Sequence, residues 1–102
     1  MDKTMIDNIK QLKRKYEPEG FIVLGIFGSY ARNEEMPESD IDILYKMTDL
    51  FYKKYPGWNA VSILEKINRD FEKKLAKKVD FADKNALKRV GLKYILPEVQ
   101  YV

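Results

Sequence analysis

The sequence predicts an α/β (α+β) fold in which a small mixed β-sheet is flanked by helices. Residues 60–77 repeat apolar side chains at three- and four-residue steps, which is typical of one face of an amphipathic helix. Residues 21–27 form a nearly continuous apolar run, which is typical of a buried central strand. The order helix, strand, strand, helix, strand along the chain then favours helices packed on a sheet.

The N-terminal elements follow from local signals. Residues 4–16 carry apolar side chains at helical spacing, and Thr4 is in position to cap this helix. The sequence Pro-Glu-Gly at residues 18–20 ends it. After the buried strand, we expect a short helix to begin over residues 30–33, followed by a loop over residues 34–39.

The second half contains two further strand signals and one long connection. Residues 41–45 predict a second strand, and residues 79–82 predict a short third strand. Residues 52–59, which include Pro-Gly, are interpreted as a turn-rich connection. The tail, residues 85–102, is expected to mix short helical pieces with an apolar end. All 102 residues fit one domain, 1–102.

The composition restricts the chemistry. The chain contains no cysteine and no histidine, which excludes thiolate chemistry, a Ser-His-Asp triad and a histidine metal site. Any metal would need oxygen ligands, as magnesium, manganese and calcium do. No apolar run approaches a membrane span, and no signal peptide is visible, so we expect a cytoplasmic protein without a membrane partner.

The charge pattern argues against direct DNA binding. The net charge is only +3, with 10 acidic and 7 basic side chains in residues 1–50. DNA-binding surfaces usually show a stronger basic excess.

Two aspartates begin the second strand. Asp40 and Asp42 are two residues apart, so in a strand their side chains point to the same face. Two carboxylates so close repel each other unless a cation such as magnesium neutralises them. Taken alone, Asp-x-Asp is more often a turn cap followed by a solvated residue.

A glycine-serine pair precedes these aspartates by ten residues. Gly28 lacks a Cβ and lets the backbone approach a phosphate, while the Ser29 hydroxyl can donate to a phosphate oxygen. Arg32, one turn further, can neutralise phosphate charge; the alternative is an ion pair with Glu34 or Glu35.

The third strand supplies a possible third carboxylate. Asp80 lies between Val79 and Phe81 and would reach Asp42 if the strands are neighbours, whereas Asp83 falls where the strand should end.

The segment from Gly28-Ser29 to Asp40-x-Asp42 resembles the signature of the polymerase-beta-like nucleotidyltransferase superfamily, and the longer pattern, residues 28–32 with residues 39–44, resembles its minimal nucleotidyltransferases (MNT). The resemblance implies a nucleotidyltransferase fold and ATP as substrate. It also implies two Mg²⁺ ions held by Asp40, Asp42 and Asp80, with Gly28 and Ser29 binding phosphate.

The same resemblance implies a partner. Minimal nucleotidyltransferases are typically paired with a HEPN-family RNase toxin and act as its antitoxin, transferring AMP to a toxin tyrosine. Three alternatives stay open: a non-catalytic antitoxin that neutralises the toxin by contact, a nucleotidyltransferase acting on a small molecule, and one acting on an RNA 3′ end.

The aromatic content predicts an interface for that partner, in a homo- or hetero-oligomer. The candidate contact residues lie in the 52–59 connection and at the tail: Tyr52, Tyr55, Trp58, Tyr101 and Val102.

Overall fold

The computed structural model describes residues 2–102. The elements follow in the order α1 (Lys3–Tyr16), β1 (Phe21–Phe27), α2 (Gly28–Ala31), β2 (Ile41–Met47), α3 (Asp49–Lys54), α4 (Trp58–Leu75), β3 (Val79–Asp83), α5 (Arg89–Ile95) and β4 (Gln100–Tyr101). Two 3-10 turns, Glu17–Glu19 and Leu96–Glu98, complete the described chain. Within residues 2–102, none of the helices has the length and apolar content needed to cross a bilayer.

The four strands form one mixed sheet in the order β3-β2-β1-β4. β1 runs antiparallel to both β2 and β4, whereas β2 and β3 are parallel. The parallel pair needs a long crossover, which α3 and α4 provide. The predicted mixed sheet flanked by helices is therefore confirmed.

The core lies between the sheet and helices α1 and α4. β1 contributes Val23 and Ile26, which are both fully buried although they are three positions apart. Strict alternation would send these side chains to opposite faces. The pairing of β1 with β2 shifts register between Val23 and Gly25, and this bulge returns Ile26 to the helix-covered face.

Two predicted details were wrong. Asp2, rather than Thr4, caps α1, because the Asp2 carboxylate accepts a hydrogen bond of 3.1 Å from the Thr4 backbone N–H. The 52–59 connection is mostly helical, since α3 begins before it and α4 begins at Trp58. The tail contains the expected short helical pieces, α5 and Leu96–Glu98, and adds a fourth strand, β4, whose pairing with β1 has no local signal.

A hydrogen-bonded cluster joins α1 to α4. The Tyr16 hydroxyl donates to the Asp70 carboxylate. The same carboxylate forms salt bridges with Lys15 and Lys66, each with an N–O distance of 3.3 Å. The hydrogen bond from Tyr16 is the main cause that lowers the pKa of Asp70. Burial, and then Asp70 itself, raises the pKa of Tyr16 to about 12. The cluster therefore stabilises the packing of the two helices at neutral pH.

Replacing Tyr16 with Phe should lower the free energy of unfolding by about 1 kcal/mol at pH 7, because a hydrogen bond to a charged acceptor is lost. The folded pKa of Asp70 lies below its unfolded value, so this contribution is present above the unfolded pKa and is lost as the pH falls through the folded one. Urea denaturation at pH 7 and pH 3 measures both effects. Tyr101→Phe, at a ring that is 67% exposed, is the control; equal losses in the two variants would contradict the assignment.

Candidate active site

Asp42 and Asp80 are direct neighbours in the sheet. They are paired positions in the parallel β2–β3 ladder, so their side chains leave the same face at the same level. Asp40 directly precedes β2, two residues before Asp42. Asp83 pairs instead with Tyr45 at the far end of β3, and its carboxylate accepts a 2.9 Å hydrogen bond from the Asn85 N–H. Register thus brings Asp80, rather than Asp83, to Asp42.

The environment of Asp42 disfavours its negative charge. Burial raises the pKa of this half-buried carboxyl above its usual value, and the charges of Asp80 and Asp40 raise it further. The positive charge of Arg32 offsets part of this effect. A cation at this position would remove the repulsion among the three carboxylates.

The donor set suits an oxygen-preferring divalent cation. Within residues 2–102, no three acidic side chains converge closely enough to form a complete metal cage. Magnesium is commonly bound by one or two carboxylates and completed by water and substrate phosphates. Asp42 with Asp80 or Asp40 therefore fits a magnesium site that a phosphate substrate completes.

Gly28 lies against the Asp42 carboxylate. Phe27 pairs with Asp42 across the β1–β2 ladder, so the residue after Phe27 must turn over this carboxylate. Gly28 turns with a φ of +74°, and a Cβ added there would collide with Asp42 Oδ2 and lie 3.1 Å from Asp42 Cγ. A glycine is therefore required at position 28 to make room for the Asp42 carboxylate. The close approach of a phosphate, inferred from the sequence, would be a second reason for the same residue. Ser29 follows within the first turn of α2.

Arg32 is ion-paired on both sides. Its Nε donates to Glu34 at 3.1 Å, and its Nη1 donates to Glu98 at 2.9 Å. The hydrogen bond to Glu34 is the main cause that raises the pKa of the guanidinium. The ion pair between Arg32 and Glu34, which the sequence offered as the alternative to phosphate binding, is therefore present in this structure.

Glu98 is a site residue that the sequence did not indicate. Its Oε2 accepts hydrogen bonds from the Gly28 N–H at 3.2 Å and from Arg32. It is 70 residues from Gly28 along the chain, and the pairing of β4 with β1 lies two residues beyond it.

The five aromatic and tail candidates for an interface divide into two groups. Trp58, Tyr52 and Tyr101 are exposed at 85%, 51% and 67%. Tyr55 and Val102 pack against the core instead, and the Tyr55 hydroxyl donates to Glu19 at 2.6 Å. Only the first group offers free surface.

The fold is that of a nucleotidyltransferase. Over its whole length the chain superimposes on a solved structure provisionally described as a minimal nucleotidyltransferase, with a TM-score of 0.77, 20% identity and 97% of that chain covered. A second structure, described as a toxin–antitoxin with AMP-PNP, matches 93% of this chain and 69% of that chain, with a TM-score of 0.70 and 21% identity. At these identities the similarity concerns the fold.

Sequence comparison gives the family. The model of the family described as "Polymerase beta, Nucleotidyltransferase" matches residues 7–100. Protein adenylyltransferase MntA of Thermococcus cleftensis is 33% identical over 93 residues, which are 91% of this chain and 83% of that protein. A Methanocaldococcus jannaschii protein that is provisionally named a protein adenylyltransferase is 39% identical over 89 residues, 87% of this chain and 80% of its own length. The chain belongs to the polymerase beta nucleotidyltransferase family and is an enzyme of the nucleotidyltransferase class.

Asp42→Asn should raise the free energy of unfolding at pH 7 by about 0.5 kcal/mol, the scale of a repulsion between partly exposed charges. The folded pKa of Asp42 lies above its unfolded value, so its destabilising effect develops as the pH rises through the unfolded pKa and is complete above the folded pKa. The gain of the variant should therefore vanish in acid. Denaturation curves at pH 7 and pH 3 measure it, with exposed Asp7→Asn as the control. A less stable Asp42→Asn protein at pH 7 would refute the repulsion.

Gly28→Ala should destabilise the fold by about 1–2 kcal/mol more than Gly57→Ala, because both glycines have positive φ but only Gly28 faces a crowded position. A Cβ at Gly57 would meet nothing within 4 Å, so this variant isolates the cost of the backbone conformation. Adding Asp42→Ala should reduce the cost of Gly28→Ala. Strictly additive losses in the double variant would show that the Asp42 contact is not its cause.

Proposed function

We propose that this chain transfers AMP from ATP to a tyrosine hydroxyl of a HEPN-family toxin and thereby acts as its antitoxin in the cytoplasm. The observation that carries the proposal is the placement of Asp42 level with Asp80 and against Gly28. Family membership supports nucleotidyl transfer, and the names of the relatives support a protein as acceptor. The described toxin–antitoxin structure supports a toxin as that protein.

In this proposal one set of site residues binds the triphosphate and another binds magnesium and the acceptor hydroxyl. Gly28 and Ser29 bind the β- and γ-phosphates through backbone N–H groups and the serine hydroxyl. Asp40, Asp42 and Asp80 would hold two magnesium ions whose remaining positions would be completed by water and the substrate phosphates, and the metal would supply charge stabilisation to the triphosphate and to the attacking oxygen. Asp80, exposed at the sheet edge, orients the acceptor hydroxyl and receives its proton.

The transfer balances without any other reagent. The acceptor oxygen forms a bond to the α-phosphorus of ATP while the bond to the β-phosphate oxygen breaks, and pyrophosphate leaves. Catalysis then rests on positioning and on stabilisation of the charge that develops on the phosphate oxygens.

A second candidate function is a non-catalytic antitoxin. It is favoured by the exposed rings of Trp58 and Tyr52, which lie on a surface suited to a partner. The clustered carboxylates favour the enzyme, because their repulsion destabilises the fold and has no use in a pure binding module.

Incubation of the chain with its toxin, ATP and magnesium should add about 330 Da per AMP to the toxin, as metal-assisted transfer requires. Asp42→Asn should reduce this transfer by about 100-fold or more, whereas exposed Asp7→Asn should leave it unchanged. Intact-mass measurement of the toxin gives the result. A toxin that is silenced but unmodified would favour the non-catalytic antitoxin instead.

A further inference from the structure

The carboxylate of Glu98 occupies donors that the proposed phosphate site needs. Its Oε2 accepts from the Gly28 N–H at 3.2 Å and from Arg32 Nη1 at 2.9 Å. A backbone N–H together with a guanidinium is a common environment for a phosphate oxygen. In this structure, an internal anion holds that position.

The segment that carries Glu98 is fixed to the phosphate loop by further contacts. β4 pairs Gln100 with Ile26, and the Gln100 side chain donates to the Ala31 carbonyl oxygen at 3.0 Å. A Cβ on Gly25 would lie 2.7 Å from Val99 Cγ1, so the segment packs closely on β1. These contacts fix the backbone directly after Glu98 and so hold its side chain next to Gly28.

Glu98 and a phosphate would compete for the same hydrogen-bond donor, the Gly28 N–H. The Gly28 amide has a single hydrogen, so Glu98 and a phosphate oxygen cannot both accept from it in full geometry. Glu98 also adds negative charge next to the carboxylates, since its charge contributes to the raised pKa of Asp42. A triphosphate bound with Glu98 in place would face this charge directly.

We propose that Glu98 competes with the phosphates of a nucleoside triphosphate for the Gly28 N–H, so that residues 96–102 set the affinity of the site for its substrate. This inference rests on the proposed function, since it takes Gly28 as the phosphate site. Triphosphate binding then moves Glu98 away from Gly28, while Arg32 becomes available to the phosphates.

A supporting role for Glu98 would predict the opposite change in triphosphate affinity. If Glu98 served to hold Arg32 and Gly28 in a phosphate-ready arrangement, its removal would weaken triphosphate binding. Affinity therefore distinguishes a competitor from a supporting residue by its sign.

Calorimetric titration with ATP and magnesium tests the competition. Glu98→Gln should bind ATP about tenfold more tightly than the wild type, because one like charge beside the phosphates is removed. Glu34→Gln is the matched control: it removes the same charge from Arg32, but Glu34 makes its side-chain hydrogen bond to Arg32 and not to Gly28. Its affinity should stay within about twofold of the wild type.

Unchanged or weaker ATP binding by Glu98→Gln would overturn the proposal, and so would equal tightening in Glu34→Gln. If Glu98→Gln fails to fold, Glu98→Asp provides the test, since its shorter side chain withdraws the carboxylate from Gly28 and should also tighten binding. ATP binding without AMP transfer to any toxin would sink the proposed function but leave this competition intact.

Discussion

The contact between the Asp42 carboxylate and Gly28 is the constraint on which the rest of the site depends. β1 and β2 are paired so that Phe27 faces Asp42, and the chain must then turn directly over that carboxylate. Only a residue without a Cβ fits, and the φ of +74° favours glycine for the same turn. The turn at Gly28 and the carboxylate of Asp42 are therefore one structural unit, held by the register of two strands.

This unit is built at a cost to stability. The helix-covered face of the sheet is closely packed, with Ile41 and Ile43 fully buried on β2. Asp42 lies between them in sequence and faces the other way, beside Asp80, where burial and like charge oppose its ionisation. The strong apolar core on one face thus supports an electrostatically strained face on the other, as is common where a site awaits a charged ligand.

Much of this arrangement was predictable because its signals are local. The apolar run of β1 was predicted with the bounds Phe21–Phe27, and the alternation of Val79, Asp80 and Phe81 pointed to a strand with an outward carboxylate. The parts that were missed depend on distant partners or on competing local choices. β4 has two residues and exists through its pairing with β1, and Glu98, which comes two residues before β4, meets Gly28 across a separation of 70 residues. Asp2 and Thr4 both suit an N-cap, and only the backbone geometry decides between them.

We propose that the turn at Gly28 and the Asp42–Asp80 carboxylate pair act together on a nucleoside triphosphate. A crystal structure of the chain with magnesium and a non-hydrolysable ATP analogue tests this joint action. We expect phosphate oxygens within hydrogen-bond distance of Ser29 and the Gly28 N–H, with magnesium between these phosphates and Asp42. A triphosphate bound elsewhere, with Asp42 and Asp80 making no contact to magnesium or phosphate, would contradict it.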